Sequence, residues 1–175
     1  MKKIGVFGSA FNPPSKGHMS VISRATKDFD EIWVIPSANH AFGKDMLPLA
    51  LRERMVEALI ADIGNSRVKL VSCEPKVSDG VVYTIDLLDF LAENNEGCKF
   101  VFLCGEDNIA GFHKFHRAQE ILDRHEVQGF DVIDDIRSTY IRNSISGGTS
   151  EWKNMVSPSV QRVVLELIDS DKIYI

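Results

Sequence analysis

The chain has 175 residues, of which 44% are hydrophobic and 26% charged, and its formal net charge is −5. This length and composition predict a single folded domain over residues 1–175 with a hydrophobic core. The negative charge and the lack of a basic run argue against nucleic acid as a partner, and no apolar run is long enough to cross a bilayer. Cys73, Cys98 and Cys104 have no metal-ligand spacing, so we expect reduced thiols in a cytoplasmic protein.

Strand-like and helix-like segments alternate along the chain. The apolar patterns predict strands over 3–7, 31–36, 67–72, 99–104 and 127–133, helices over 17–27, 49–62, 84–95, 108–112, 115–123, 138–144 and 158–169, and a short strand or tail over 172–175. This alternation predicts an α/β fold, a doubly wound Rossmann-like parallel sheet with helices on both faces. Ligands of such sheets bind beyond the carboxyl ends of the strands, so the polar loops after the strands should converge on one crevice.

The first of these loops carries residues 8–18, Gly-Ser-Ala-Phe-Asn-Pro-Pro-Ser-Lys-Gly-His, between a strand and a helix. A helix start presents unpaired backbone N–H groups and a partial positive charge, which together favour a phosphate. Ser15 and His18 add a hydroxyl and an imidazole at this point. The segment is neither a Walker loop nor a dinucleotide fingerprint. It therefore predicts a nucleotide-phosphate site of another kind.

A second segment, Ile136-Arg137-Ser138-Thr139-Tyr140-Ile141-Arg142, opens a helix near the other end of the chain. Together the two segments resemble the paired signatures of the nucleotidyltransferase superfamily named for its His-x-Gly-His motif. Segments 39–44, 82–86, 102–108, 115–117 and 156–174 further resemble bacterial nicotinate-nucleotide adenylyltransferases. The resemblance covers nearly the whole chain.

The resemblance implies that the protein transfers the adenylyl group of ATP to nicotinate or nicotinamide mononucleotide. The products would be pyrophosphate and a dinucleotide of NAD biosynthesis. Mg²⁺ is expected to be carried by the ATP phosphates, with no metal held by the protein itself. The sequence does not decide between the two pyridine nucleotides, and it leaves a homo-oligomer open.

The expected site residues fall into groups by role. Catalytic roles are predicted for His18, Ser15, Lys44 and Arg142, with His18 donating to the α-phosphate as an imidazolium or a neutral imidazole. Contacts with ATP are predicted for Gly8, Ser9, Phe11, Ser15, His18, Gly105, Asp107, Ser138, Thr139 and Arg142. Contacts with the acceptor are predicted for Lys44, Tyr83, Thr84 and Phe115. Simpler roles stay open for Phe11 as a hydrophobic anchor, Thr84 as a helix cap and Arg137 as a surface charge.

The chain departs from the family pattern in particular places. Ser15 stands where the family has the first histidine of its signature, Phe115 stands for a tryptophan, and the segment between His116 and Ile136 is shorter than usual. These departures keep two other functions open. One is adenylyl or cytidylyl transfer to another phosphorylated acceptor, such as phosphopantetheine, and the other is a nucleotide-binding regulator without catalysis.

Overall fold

A parallel sheet forms the centre of the molecule. The computed structural model describes residues 1–39, 45–131, 133 and 135–173. Its sheet has five strands in the order β3-β2-β1-β4-β5, and every neighbouring pair is parallel. The strands are β1 (Lys2–Ser9), β2 (Glu31–Pro36), β3 (Val68–Leu70), β4 (Cys98–Gly105) and β5 (Glu126–Phe130).

Helices cover both faces of this sheet, which confirms the predicted doubly wound α/β fold. The helices are α1 (Lys16–Ala25), α2 (Leu49–Ile63), α3 (Glu74–Val77), α4 (Thr84–Asn94), α5 (Glu106–Ala110), α6 (Ala118–Arg124), α7 (Ser138–Ser146) and α8 (Pro158–Asp169). Alternate side chains of each strand pack into hydrophobic cores on opposite faces of the sheet, as the two-residue period of a strand requires. Phe7 and Val101 pack with α1, α2 and α8, whereas Val6 and Phe102 pack with α4 and α6.

The edges of the sheet are shorter than the sequence predicts. The strand predicted over 67–72 comprises only Val68–Leu70, and the strand predicted over 127–133 ends at Phe130. Both are edge strands with a single neighbour, so their length depends on the partner strand rather than on their own apolar pattern. Lys172 and Ile173 have no strand structure, and residues 174–175 of the predicted tail lie outside the described residues.

Local details of the helices also differ from the prediction. Tyr83 occupies the cap position of α4 without a capping side-chain hydrogen bond, so Thr84 is the first helical residue and the predicted cap is wrong. The one-turn helix α3 was not predicted, because four residues are too few to establish a helical period. Within the described parts of the chain, no helix is long and apolar enough to cross a membrane.

The strand order sets the position of the functional site. β1 lies in the middle of the sheet, hydrogen-bonded to β2 on one side and to β4 on the other. The chain leaves β1 towards β2 and β3 and later returns to β4 and β5, so the order reverses between β1 and β4. Loops that leave these two strands diverge and open a crevice at their carboxyl ends.

Gly5 is the point where this central strand is packed most tightly. A Cβ atom at Gly5 would lie 2.6 Å from Leu103 Cδ1 and 2.9 Å from Ile32 Cδ1, and both side chains are fully buried. We expect Gly5→Ala to lower the free energy of unfolding by about 1–3 kcal/mol, because the added Cβ atom overpacks the core. Urea denaturation measures this change. Gly80→Ala is the matched control, since its Cβ would have an ordinary contact of 3.6 Å to Ser78 Oγ; an equal effect of both substitutions would contradict the packing argument.

Candidate active site

A cavity of about 270 Å³ opens at the carboxyl ends of β1 and β4. Its wall brings together residues that the sequence analysis selected from separate segments of the chain: Gly8, Ser9, Ser15, His18, Thr84, Gly105, Asp107 and Phe115. The loops after these strands therefore converge on one crevice, as the fold predicts. Lys44, also predicted here, lies outside the described residues.

Ser15 and His18 form a reciprocal cap at the start of α1. The Ser15 N–H donates to His18 Nδ1 over 2.9 Å, and the His18 N–H donates to Ser15 Oγ over 3.4 Å. Because Nδ1 accepts a backbone hydrogen bond, the imidazole proton belongs on Nε2. Nε2 lies 3.2 Å from Ser9 Oγ, on the side of the cavity. The cap thus favours His18 as a neutral Nε2–H donor over the imidazolium, the other of the two forms predicted.

Aromatic rings enclose the other side of the imidazole. The ring centroid of Phe11 is 4.9 Å from that of His18, and the Phe7 centroid is 6.0 Å away. This burial lowers the pKa of His18 to about 4, which agrees with the neutral form that the Ser15 contact requires. Phe11 itself is fully buried behind His18 and lies off the cavity wall. Its place in the structure is that of the hydrophobic anchor considered above.

Hydrogen bonds join the two signature segments across the fold. Ser15 Oγ donates to the carbonyl oxygen of Ile136 over 3.3 Å, and Ser138 Oγ donates to that of Pro13 over 2.7 Å. Arg142 Nη1 donates to the carbonyl oxygen of Asn12 over 2.9 Å. The start of α7 is therefore held against the loop that precedes α1, and the two helix starts lie on the same side of the molecule.

Arg142 combines a partly buried charge with neutral partners. Besides Asn12, its guanidinium donates to Thr139 Oγ1 over 3.2 Å. Burial lowers the pKa of Arg142, although a guanidinium remains charged at neutral pH. Ser138, Thr139 and Arg142 lie beside the cavity rather than on its wall. Their arrangement suits an anion that extends out of the cavity along the start of α7.

Two of the predicted acceptor residues reach the cavity and one does not. Thr84 and Phe115 line its wall, and Phe115 stacks on Phe112 with ring centroids 4.6 Å apart. Tyr83 instead stacks on His116, with a centroid separation of 4.1 Å, and lies off the wall. The aromatic lining of this end of the cavity is therefore supplied by Phe115 together with Phe102, whose ring centroid is 6.0 Å from that of Phe115.

An ion pair spans part of the cavity rim. Arg137 Nη2 donates to Asp107 Oδ2 over 3.3 Å, and Arg137 Nε donates to Asp135 Oδ1 over 3.0 Å. Arg137 was expected to be a surface charge, and it is exposed, but it also lines the cavity. Across the described ranges, no group of three or more His, Cys, Asp and Glu side chains has an arrangement that could hold a metal ion.

Several residues of the cavity wall were missed by the sequence analysis. Ser20, Val21 and Arg24 continue from Gly17, a position already expected to approach the ligand, as one stripe of α1 that borders the cavity beside His18. Their spacing of three and four residues was readable from the sequence, because such positions share a helix face. Ser37 and Glu74 also line the wall. Ser37 begins the loop after β2, which the fold predicts to reach the crevice, whereas nothing in the local sequence marks Glu74. Glu74 reaches the site because α3 packs beside the end of β2, where the Ala38 N–H donates to Glu74 Oε2.

A comparison with protein families agrees with this geometry. The family model described as cytidylyltransferase-like matches residues 6–149, which include the second half of β1, His18, β4 and Arg142. The chain belongs to the cytidylyltransferase-like family. The matched range holds both signature segments, so the cavity of this cytidylyltransferase-like protein lies within the family's shared domain.

Individual relatives give a more specific likeness. A protein from Bacillus pumilus assigned as a nicotinate-nucleotide adenylyltransferase is 33% identical over 126 residues, which cover 70% of this chain and 65% of that protein. The chain therefore spans slightly less than two thirds of that relative's length. The crystal structure of a protein from Vibrio parahaemolyticus assigned to the same activity is 37% identical, with a TM-score of 0.81, and the match covers 94% of this chain and 99% of that one. The nicotinic acid mononucleotide adenylyltransferase of Plasmodium falciparum shares the fold, with a TM-score of 0.79 at 18% identity and 99% coverage of both chains.

Proposed function

We propose that this protein transfers the adenylyl group of ATP to a pyridine mononucleotide, with nicotinate mononucleotide as the first candidate. The observation that carries this proposal is His18, whose neutral Nε2–H is aimed at the crevice by the Ser15 N–H. The relatives from Bacillus pumilus and Vibrio parahaemolyticus, both assigned as nicotinate-nucleotide adenylyltransferases, support the choice of acceptor.

In the proposed reaction, an oxygen of the acceptor's 5′-phosphate attacks the α-phosphorus of ATP. A new bond forms between these atoms, the bond from the α-phosphorus to the bridging oxygen breaks, and pyrophosphate leaves with that oxygen. Such a transfer needs positioning and charge neutralisation more than covalent help from the protein. His18 Nε2–H donates to an α-phosphate oxygen in place of its contact with Ser9, and this bond strengthens as charge builds up.

The rest of the site divides between the two substrates. The start of α1, with Ser15 and Gly17, faces the ATP phosphates, and the start of α7 with Arg142 receives the β- and γ-phosphates. Asp107 accepts a hydrogen bond from a ribose hydroxyl, and Phe115 and Thr84 contact the pyridine end of the acceptor. Mg²⁺ enters as part of the substrate Mg-ATP. The cytoplasmic location remains a prediction from the sequence, which leaves the oligomeric state open.

Pyrophosphate release from Mg-ATP tests the proposal, with nicotinate mononucleotide, nicotinamide mononucleotide and phosphopantetheine offered separately. We expect turnover with a pyridine mononucleotide, and its dinucleotide product is identified by mass spectrometry. Turnover with phosphopantetheine alone would show that the proposed acceptor is wrong, although the proposed reaction, adenylyl transfer, would still be correct. ATP binding by calorimetry, with no pyrophosphate released from any acceptor, would favour the regulator instead.

A further inference from the structure

Arg52 is a buried charge that the proposed mechanism does not use. It lies on α2 and is only 1% exposed. Its guanidinium donates to main-chain carbonyl oxygens from separate loops: to Leu47 over 2.7 Å, to Ala10 over 2.8 Å, to Ser37 over 2.7 Å and to Ala38 over 3.5 Å. A buried guanidinium needs several acceptors to offset its lost hydration. Here those acceptors are main-chain carbonyl oxygens of the loops that follow β1 and β2.

Glu74 holds the same segment from the other side. It is 4% exposed, and its Oε2 accepts a hydrogen bond from the Ala38 N–H over 2.6 Å. Arg52 therefore holds the carbonyl oxygens of Ser37 and Ala38, while Glu74 holds the N–H of Ala38. Burial raises the pKa of Glu74 to about 7, against the opposing effects of the Ala38 N–H and the nearby Arg52 charge. Burying the Glu74 carboxyl group costs free energy. That this group is nevertheless buried against the Ala38 N–H indicates that the position of the Ser37–Ala38 segment matters.

The held segment borders the acceptor end of the cavity. Ser37 and Glu74 line the same wall as Thr84 and Val82, where the pyridine mononucleotide is expected to lie. The Ser37 N–H also donates to the Ser9 carbonyl oxygen over 2.9 Å, which continues the β1–β2 pairing into the loop. Movement of Ser37 would therefore change the shape of this end of the cavity.

We propose that Glu74 is a positioning residue which, opposite Arg52, clamps the Ser37–Ala38 segment and so shapes the acceptor end of the cavity. The proposal rests on the proposed function for the identity of the acceptor, but the clamp itself is a property of the fold. Glu74 acts through the main chain of Ala38. Arg52 also holds Ala10 in the loop after β1, so Glu74 is the partner whose effect is confined to the β2 side.

The test compares two substitutions at one position. Glu74→Gln keeps an oxygen that accepts from the Ala38 N–H, whereas Glu74→Met keeps the length of the side chain and removes the acceptor. We expect Glu74→Met to raise KM for the pyridine mononucleotide by about tenfold, with KM for ATP and kcat within about twofold of the wild type. We expect Glu74→Gln to restore values close to the wild type. Lys76→Gln, an exposed change on the same short helix, controls for altered charge near the site.

A second measurement is independent of turnover. Amide hydrogen exchange of Ala38, followed by NMR, should be faster in Glu74→Met than in the wild type or in Glu74→Gln. If both KM values rise and kcat falls together in Glu74→Met, the residue is merely structural and the proposal is overturned. A changed preference between nicotinate and nicotinamide mononucleotide in Glu74→Gln would also overturn it, because Glu74 would then touch the acceptor.

The two proposals can fail separately. If no pyridine mononucleotide is converted by the wild type, the proposed function fails, and the exchange rate of Ala38 alone judges the clamp. An unchanged exchange rate of the Ala38 amide in Glu74→Met would then overturn the clamp as well. Faster exchange in Glu74→Met but not in Glu74→Gln would support the clamp.

Discussion

Replacing His18 with alanine is expected to lower kcat by a factor of about 10²–10³, the loss typical for removal of one donor to developing negative charge. The physical reason is the position of Nε2–H, which Ser15 aims at the crevice through the bond from its N–H to Nδ1. ATP binding should change far less, because the proposed site has other donors for the phosphates at the starts of α1 and α7. Steady-state pyrophosphate release gives kcat, and calorimetry with Mg-ATP gives the affinity.

His113→Ala is the matched control for this prediction. His113 is exposed on a short 3₁₀ turn and lies outside the cavity wall, so its replacement should leave kcat and the affinity for Mg-ATP unchanged. Turnover of His18→Ala at the wild-type rate would refute the catalytic role. A parallel loss of ATP affinity and turnover would assign His18 to binding instead.

The pKa of His18 adds a pH dependence to the same prediction. Burial holds this pKa near 4, below the ordinary value of 6.5, so the neutral donor is fully populated at neutral pH. Protonation becomes significant only as the pH falls towards the folded-state pKa, and it would break the bond from Ser15. The pH profile of kcat/KM, which reports ionisations of the free enzyme, should therefore show no inflection from His18 between about pH 5 and pH 8. An inflection near the ordinary value that disappears in the alanine variant would contradict this assignment.

Replacing Arg142 with alanine is expected to weaken ATP binding by about 10–100-fold, as the loss of a charged hydrogen bond worth roughly 1.5–3 kcal/mol implies. Within the described residues its donors go to the neutral oxygens of Asn12 and Thr139, which leaves the positive charge for a phosphate. Arg142→Lys should recover part of the affinity, because lysine keeps the charge without the planar fork. Calorimetric titration with Mg-ATP measures the affinity of the wild type, of Arg142→Ala and of Arg142→Lys.

Arg162→Ala provides the comparison for general loss of charge. Arg162 is exposed on α8 and donates to Ser159 Oγ, away from both helix starts. We expect its removal to leave the affinity for ATP unchanged. Equal losses in Arg142→Ala and Arg162→Ala would show that net charge, rather than a site at the start of α7, governs the binding.

Elements with strong local patterns were predicted closely. β2 (Glu31–Pro36) has the predicted bounds, because a continuous apolar run is typical of a parallel strand buried on both faces. α8 (Pro158–Asp169) begins after Ser157 as predicted, since proline suits the first helical turn. By contrast, β3 and β5 are shorter than predicted, because at an edge the ladder hydrogen bonds come from one neighbour only.

Local sequence patterns were enough to predict the α/β class, the order of most elements and the two segments that mark the nucleotide site. These properties follow from short-range periodicity and from residue types at fixed spacing. Three features became visible only in the folded chain: β1 lies between β2 and β4, Ser15 sets the tautomer of His18, and Arg52 and Glu74 hold Ser37 and Ala38. Such contacts join segments that lie far apart along the chain. Their energies depend on burial and on distance in space, and neither quantity leaves a periodic signal in the local sequence.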